Sequence, residues 1–479
     1  MIVGRKAECS DLEEVLQRQE AQLVAVYGRR RVGKTYLIRE FFGNRFAFYH
    51  TGMHNCGMKE QLLAFRDSLI QYGCDVKGML GSWREAFLCL RQLIEANAST
   101  EKKVIFLDEL PWLDTPRSRF LPSLEYFWNS WVAMRDDIFL IACGSATSWM
   151  ADKLLENQGG LHNRITRRIY LAPFSLHECQ QYLESRGFDW DIRQIIQCYM
   201  ILGGVPDYWS LLEPLFSLSQ NIDRMCFHRE GILRDEFDEL YNALFSNADY
   251  YVSVVRALAA RHNGMTRDEI IAATGHSGGG LSKILVNLER CDFIASYSQF
   301  GTKKKVIYRL CDFYTLFYLK FIHGERSYDD QFWSHQALGR EVSVWEGFTF
   351  ELVCFMHLPQ IKRALGISGM EVNASTWRYV PSNPPKEGLP KQGAQIDLVL
   401  SRADKVIHLC EIKFSEGKYA ITKEYERLLR ERMDLFRLVT HVKHSLIHTF
   451  ITVEGLAPGS HISFIHSQVT GNHLFESAT

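Results

Sequence analysis

The feature that most restricts this chain is a turn. Residues Gly28-Arg29-Arg30-Arg31-Val32-Gly33-Lys34-Thr35 fit Gly-x4-Gly-Lys-[Ser/Thr] without a mismatch, follow the apolar run Leu23-Val24-Ala25-Val26-Tyr27, and open a helical stretch over residues 36–42. Strand, glycine-bearing turn and helix, in that order, make a cradle for an anion. The glycines let backbone N–H groups wrap phosphate oxygens, and the helix N-terminus adds a favourable dipole. Gly28, Arg29, Arg30, Arg31, Val32, Gly33, Lys34, Thr35 and Tyr36 are therefore the expected nucleotide-binding segment. Lys34 should reach the β- and γ-phosphates, and the Thr35 hydroxyl should bind Mg²⁺.

A second signal depends on the first. Val104-Ile105-Phe106-Leu107 is apolar and ends in Asp108-Glu109. A buried strand that stops at two carboxylates suits metal and water chemistry: Asp108 would hold Mg²⁺ through water, and Glu109 would orient and deprotonate the attacking water. An extra strand lies between the phosphate loop and this pair, the layout of NTPases that use a catalytic glutamate. The strand at 138–142 leads to Ser145 and Thr147, either of which is placed to touch the γ-phosphate or the water, or to cap a helix. Arg164, in Asn163-Arg164-Ile165-Thr166-Arg167-Arg168, is the candidate for neutralising transition-state charge in its own subunit or a neighbour's; the alternative is a surface arginine.

With 479 residues, the chain is long enough for about three domains. Residues 1–173 alternate apolar strands, the second of them at 46–49, with helices, which indicates an α/β domain with a parallel sheet covered on both faces. Residues 174–245 read as a helical lid, broken at Gly203-Gly204 and Pro206. Residues 246–325 read as three short helices and a hairpin that turns at 301–305, a winged helix-turn-helix. Its third helix, at about 277–289, begins with three glycines that weaken it by roughly 1 kcal/mol each relative to alanine. It carries Lys283, Asn287 and Arg290 as expected DNA contacts, with Lys303-Lys304-Lys305 at the wing tip for phosphate. The competing reading is that this domain only lids the nucleotide or packs on its neighbours.

Composition narrows the partners. A formal net charge of -1 argues against broad nonspecific attraction to nucleic acid and leaves room for a local basic patch. The start shows no signal-peptide core, and no apolar run reaches the roughly 18 residues needed to span a bilayer, so a cytoplasmic protein without membrane attachment is expected. The 12 cysteines include no Cys-x-x-Cys pair and are read as reduced core residues rather than a zinc site.

Residues 339–470 read as a loop at 379–392, strands at 395–401 and 406–414, a charged helix at 420–439 and late strands at about 446–453 and 461–466, and they hold a carboxylate cluster. Ile396-Asp397-Leu398-Val399 and Leu409-Cys410-Glu411-Ile412-Lys413 resemble the strands of the PD-(D/E)xK nuclease-like fold, with Ile396 standing where a proline often precedes the aspartate. Glu411 and Lys413 alternate onto one strand face, and a short turn at 403–405 would set Asp397 opposite Glu411. Two opposed carboxylates repel unless a cation or proton lies between them. Mg²⁺ held by Asp397 and Glu411, with Lys413 positioning water or phosphate, is the expected arrangement, and Glu346 or Glu351 could add a ligand. His441, His444 and His448 are expected to be surface or strand residues rather than ligands.

Other segments extend the resemblance. Val3-Gly4-Arg5, Leu171-Ala172-Pro173-Phe174-Ser175 and Gly203-Gly204-Val205-Pro206 are similar to the adenine-side box, the Pro-Phe-Ser segment and the Gly-x-Pro element of prokaryotic AAA/STAND-type ATPases. Some of these ATPases carry a winged helix and a C-terminal nuclease-like domain. The resemblance spans roughly residues 1–470. It implies ATP as the nucleotide, with Pro206 packing near the adenine; self-association is a separate expectation, raised by an arginine that could act in a neighbouring subunit. Two functions follow as expectations: a Mg²⁺-dependent ATPase whose nucleotide state controls a nuclease-like, DNA-acting domain, or a STAND-like ATP switch whose last modules only bind DNA or protein.

Overall fold

The protein is described here from a computed structural model, covering residues 2–145, 147–155, 161, 163–245, 247–324, 329–382 and 390–477, with the side chains of 147, 302–305 and 460 excepted. The expected roles of Thr147 and of Lys303-Lys304-Lys305 as side-chain contacts, and much of the loop expected at 379–392, therefore lie outside the described residues. Two compact units divide the chain: residues 1–173 with 205–207, and residues 174–204 with 208–479.

In the first unit, five parallel strands lie in the order β2-β3-β4-β1-β5, with β1 Gln22–Tyr27, β2 Phe48–Thr51, β3 Lys103–Asp108, β4 Ile138–Gly144 and β5 Arg167–Tyr170. All of β3 and β4 is buried, which is why these strands read as continuous apolar runs instead of alternating ones. Two apolar cores, one on each face, hold the sheet. One gathers Phe65, Trp83, Phe87 and Phe120 from α3 (Met58–Gln71), α4 (Trp83–Ala96) and α5 (Phe120–Ser130). The other gathers Leu12 and Val15 of α1 (Lys6–Leu16) with Leu37 and Ile38 of α2 (Lys34–Phe41). Each such side chain fully removed from water contributes about 1.5–3 kcal/mol. The second strand, expected at 46–49, forms two residues later at 48–51.

The second unit is built on eight strands in the order β13-β12-β11-β10-β9-β7-β8-β6, of which β6 is the two-residue Met265–Thr266. Its middle is antiparallel: β9 (Val372–Tyr379), β10 (Ala394–Arg402) and β11 (Val406–Lys413). The strands β12 (Ser445–Thr452) and β13 (Ile465–Thr470) then add in parallel. The helices α6 (Leu176–Ser185), α7 (Ile192–Leu202), α8 (Ala248–Ala259), α9 (Arg267–Thr274), α10 (Gly278–Arg290), α11 (Arg340–Met356) and α12 (Lys423–Thr440) belong to the same unit.

Three expectations change here. Strand β9 was not expected: its sequence Val372-Asn373-Ala374-Ser375-Thr376-Trp377-Arg378-Tyr379 is polar overall, and only its alternating burial marks it. The last strand, expected at 461–466, runs over 465–470, after a 3-10 turn at Ser460–Ile462. The hairpin turn expected at 301–305 is shorter, because β7 (Ile294–Gln299) and β8 (Thr302–Leu310) pair up to Gln299↔Thr302. That hairpin is also no isolated module: Gln299 pairs with Thr376, and Phe300 N donates to Thr376 O at 2.9 Å, joining it to β9.

Candidate nucleotide site and a C-terminal carboxylate cluster

Sequence places the phosphate loop between β1 and α2, at the carboxyl ends of the parallel strands where ligands of open α/β sheets bind. Its shape demands glycine. A Cβ on Gly28 would lie 2.3 Å from Leu171 O, and Gly33 sits at φ +88° with open space around it. Arg31 takes φ 70° without that freedom. Lys34 is buried, and its ammonium donates to Gly28 O (3.1 Å) and Arg29 O (2.8 Å), so the cation lies within its own loop. Arg29 is buried, Val32 is buried, Arg30 is half-buried and Tyr36 is exposed.

The adjacent strand ends supply the rest. Strand β4 lies between β1 and β3. The Thr35 hydroxyl donates to Asp108 Oδ2 at 2.7 Å, so the two expected Mg²⁺ ligands meet. Asp108 is buried, and its other oxygen accepts from Glu109 N at 2.9 Å. Glu109 stands at φ 45°, ψ 46°, a left-handed conformation that costs on the order of 1–2 kcal/mol for a residue with a side chain. Its Oε2 accepts from Ser145 Oγ (2.8 Å) and Ser145 N (3.3 Å). Ser145 is thus tied to the expected base.

Two further links stabilise the loop. Arg5 donates to Val32 O at 3.3 Å. Asp207, next to Pro206, pairs with Arg31 at 2.6 Å. Sequence reasoning named Arg5 and Pro206 but passed over Asp207; an acid directly after Val205-Pro206, facing a three-arginine loop, was the available signal. Arg164 is exposed, and among the described residues it makes none of these contacts. The donor set fits a triphosphate with Mg²⁺: glycine-lined N–H groups, one buried lysine, and a hydroxyl facing a carboxylate.

The C-terminal cluster is arranged differently. Leu398 pairs with Cys410, which sets Asp397 opposite Glu411 as the turn length implied. Glu411 is buried and accepts from Arg432 (3.1 Å) and the Tyr425 hydroxyl, with Lys413 at 2.7 Å. Burial alone would raise its pKa, yet Lys413 and Arg432 carry it below the usual value. Burial likewise opposes the charge on Lys413, but Glu411 and Tyr425 lift its pKa above the ordinary one. Among the described residues Asp397 has no cationic hydrogen-bond donor: it accepts from Gln395 Nε2 (3.3 Å) and Ile412 N (3.4 Å). Burial first, then the charges of Glu411 and Glu351, push it up to about 7.

Glu351 pairs with Arg309 at 3.1 Å and Glu346 accepts from Gln197 at 2.7 Å, so both carboxylates face other partners. Among the described residues no group of three or more His, Cys, Asp and Glu is placed to hold a metal ion. Tyr425 and Arg432 were not anticipated; they lie seven residues, two turns, apart on the charged helix α12, and that spacing was the signal. His448 is buried in β12, its ring edge-on to Phe464, and His441 caps α12. On α10, Asn287 is buried and donates to Tyr251 Oη at 2.8 Å, which corrects its reading as a DNA contact; Lys283 is exposed. Among the described residues no helix is long and apolar enough to cross a membrane.

Comparison with known proteins bears on the first unit most directly. The family described as "ATPase domain predominantly from Archaea" matches residues 2–212. An uncharacterised protein of Methanocaldococcus jannaschii is 23% identical over 456 residues, which is 93% of this chain and 95% of that protein. An uncharacterised ATP-binding protein of the same organism is 49% identical over 45 residues, 9% of this chain and 76% of that protein. Among solved structures, the Walker-type ATPase of Pyrococcus abyssi aligns with TM-score 0.46 and 20% identity, over 66% of this chain and 96% of that one. By its match over residues 2–212, together with the relative 49% identical of which it covers 76%, the chain belongs to the family of ATPase domains found predominantly in Archaea.

Proposed function

We propose that the first unit is a Mg²⁺-dependent ATP hydrolase whose nucleotide state controls the second unit. The observation that carries this is the 2.7 Å contact between the Thr35 hydroxyl and Asp108, beside a base candidate, Glu109, held by Ser145. Mg²⁺, when bound, would neutralise charge on the β- and γ-phosphates. The chain's own groups account for the remainder. Lys34 turns from the loop carbonyls to the phosphates, and the loop amides orient them. Glu109 accepts the proton of the attacking water, and Ser145 keeps that carboxylate aimed. Arg164 is the proposed source of additional positive charge, in its own chain or a second copy in a self-associated form.

For the second unit, the reading is a winged helix over 246–325 and a nuclease-like domain over 339–470 that act on DNA, with the helical segment 174–245 as lid. Asp397, Glu411 and Lys413 are its proposed catalytic residues. The opposition of Asp397 and Glu411 supports that reading. A second reading is favoured by the saturation of Glu411 by Lys413, Arg432 and Tyr425: the last modules bind DNA or protein without cutting, and the chain is an ATP switch. As arranged, this cluster does not fit a metal ion among the described residues. Incubation of plasmid DNA with the protein, Mg²⁺ and ATP separates the two. Nicking that disappears in Asp397→Ala supports the nuclease reading; no nicking, or equal nicking by the variant, leaves the switch.

A further inference from the structure

The second unit contains a cavity of about 390 Å³ that the nucleotide and carboxylate sites do not use. That size falls within the roughly 300–1,000 Å³ of small-ligand pockets. Its walls are unusual in charge. Arg256 on α8, Arg261 just after it, Arg309 on β8 and Lys320 all line it, and no acidic residue is among the lining residues described. Their counter-charges stand outside the lining: Glu269 for Arg261 (3.4 Å), Glu351 for Arg309 (3.1 Å) and Glu341 for Lys320. No ion pair of Arg256 is present among the described residues. Arg309 is only 6% exposed, and its Nε has no hydrogen-bond partner among the described residues. A buried guanidinium N–H without an acceptor is costly, and Arg309 is among the residues that line this cavity.

The rest of the lining is flat and apolar. The rings of His262 and Phe348 stack at 4.3 Å with an interplanar angle of 4°, and Trp345 contributes a third ring. Burial first, then Arg309 and Lys320, lowers the pKa of His262, which favours the neutral imidazole in that stack. A bare metal cation is excluded by the lining charge. A wholly apolar ligand would leave the cations desolvated without anionic partners. The combination of several cations with stacked rings suits an anion joined to a planar ring.

We propose that this cavity binds a nucleoside phosphate, its phosphate met by Arg256, Arg309 and Lys320 and its base packed against the His262–Phe348 rings. This site is separate from the phosphate loop, and the inference does not rest on ATP hydrolysis. The same chemistry has two sources, a free nucleotide or the 5′-phosphorylated end of a strand.

Isothermal titration of the full chain carrying Lys34→Ala, which removes the loop's lysine, tests this with three probes: AMP, the dinucleotide pTpT and inorganic phosphate. AMP or pTpT should saturate one site per chain at least tenfold more tightly than inorganic phosphate, and the tighter of the two names the source. Adding Arg256→Ala and Lys320→Ala, both at exposed positions, should weaken that binding at least tenfold, with the far-ultraviolet spectrum unchanged. Phe348→Ala should weaken AMP or pTpT and leave inorganic phosphate unaffected. Binding no tighter than inorganic phosphate, or binding indifferent to the Arg256 and Lys320 substitutions, overturns the proposal.

Discussion

The two carboxylate sites of this chain place acids close together and balance them in opposite ways. At the phosphate loop, Asp108 and Glu109 are met by neutral donors, the Thr35 and Ser145 hydroxyls and backbone N–H groups. The nearby lysine rests on carbonyls of its own loop. Such contacts are exchanged at little cost when a charged ligand enters. At the C-terminal cluster, Glu411 is already neutralised by two cations and a phenol, while Asp397 keeps much of its repulsion. A site arranged for an incoming ion differs from one whose ion pairs are formed, even where both present an acidic pair at a strand end.

The largest expected effect belongs to the first site. Lys34→Ala should weaken binding of a fluorescent ATP analogue by about a hundredfold or more, since it removes the charge that reaches the phosphates. Retained affinity would erase the contrast between the sites. The loop glycines should then part company. Gly28→Ala must move the backbone, because its Cβ would lie 2.3 Å from Leu171 O, and should destabilise the first unit by about 3 kcal/mol or more. Gly33→Ala, with open space but φ +88°, should cost only about 1 kcal/mol. Thermal denaturation of both variants checks the order; equal losses would refute this account of the loop.

A smaller effect sharpens the second site. Asp397 is pushed up to about 7 from 3.8, so between those values the folded chain holds a proton that the unfolded chain releases. Stability from this group therefore falls as pH rises through that window. Asp397→Asn removes the penalty, so its unfolding free energy relative to the natural chain should improve from pH 5 to pH 8 by on the order of 3 kcal/mol, read from denaturant unfolding at each pH. A pH-independent difference would mean that burial and the neighbouring charges of Glu411 and Glu351 do not raise the Asp397 pKa.

Legibility in the sequence followed locality. The phosphate loop, the Asp108-Glu109 strand end and the approximate strands of the first unit were readable, since their chemistry sits within a few consecutive residues and buried parallel strands are apolar throughout. The opposition of Asp397 and Glu411 was readable because a short turn fixes register. What escaped depends on distant partners. Tyr425 and Arg432 reach Glu411 from a helix whose pattern shows only charge, and Asp207 reaches Arg31 across 176 residues. Asn287 looked like a surface polar group until packing turned it toward Tyr251. Strand β9 was hidden by polar residues, and its joining to the hairpin strand β7 is a long-range pairing that no local pattern announces.

The most direct test of the central claim is a side-by-side measurement of ATP affinity and phosphate release in Glu109→Gln. If Glu109 is the base beside an intact cradle, affinity should stay within about threefold of the natural chain while turnover falls by about 10²–10⁴-fold. Turnover that survives with affinity unchanged would contradict the assignment of the catalytic site to this strand end.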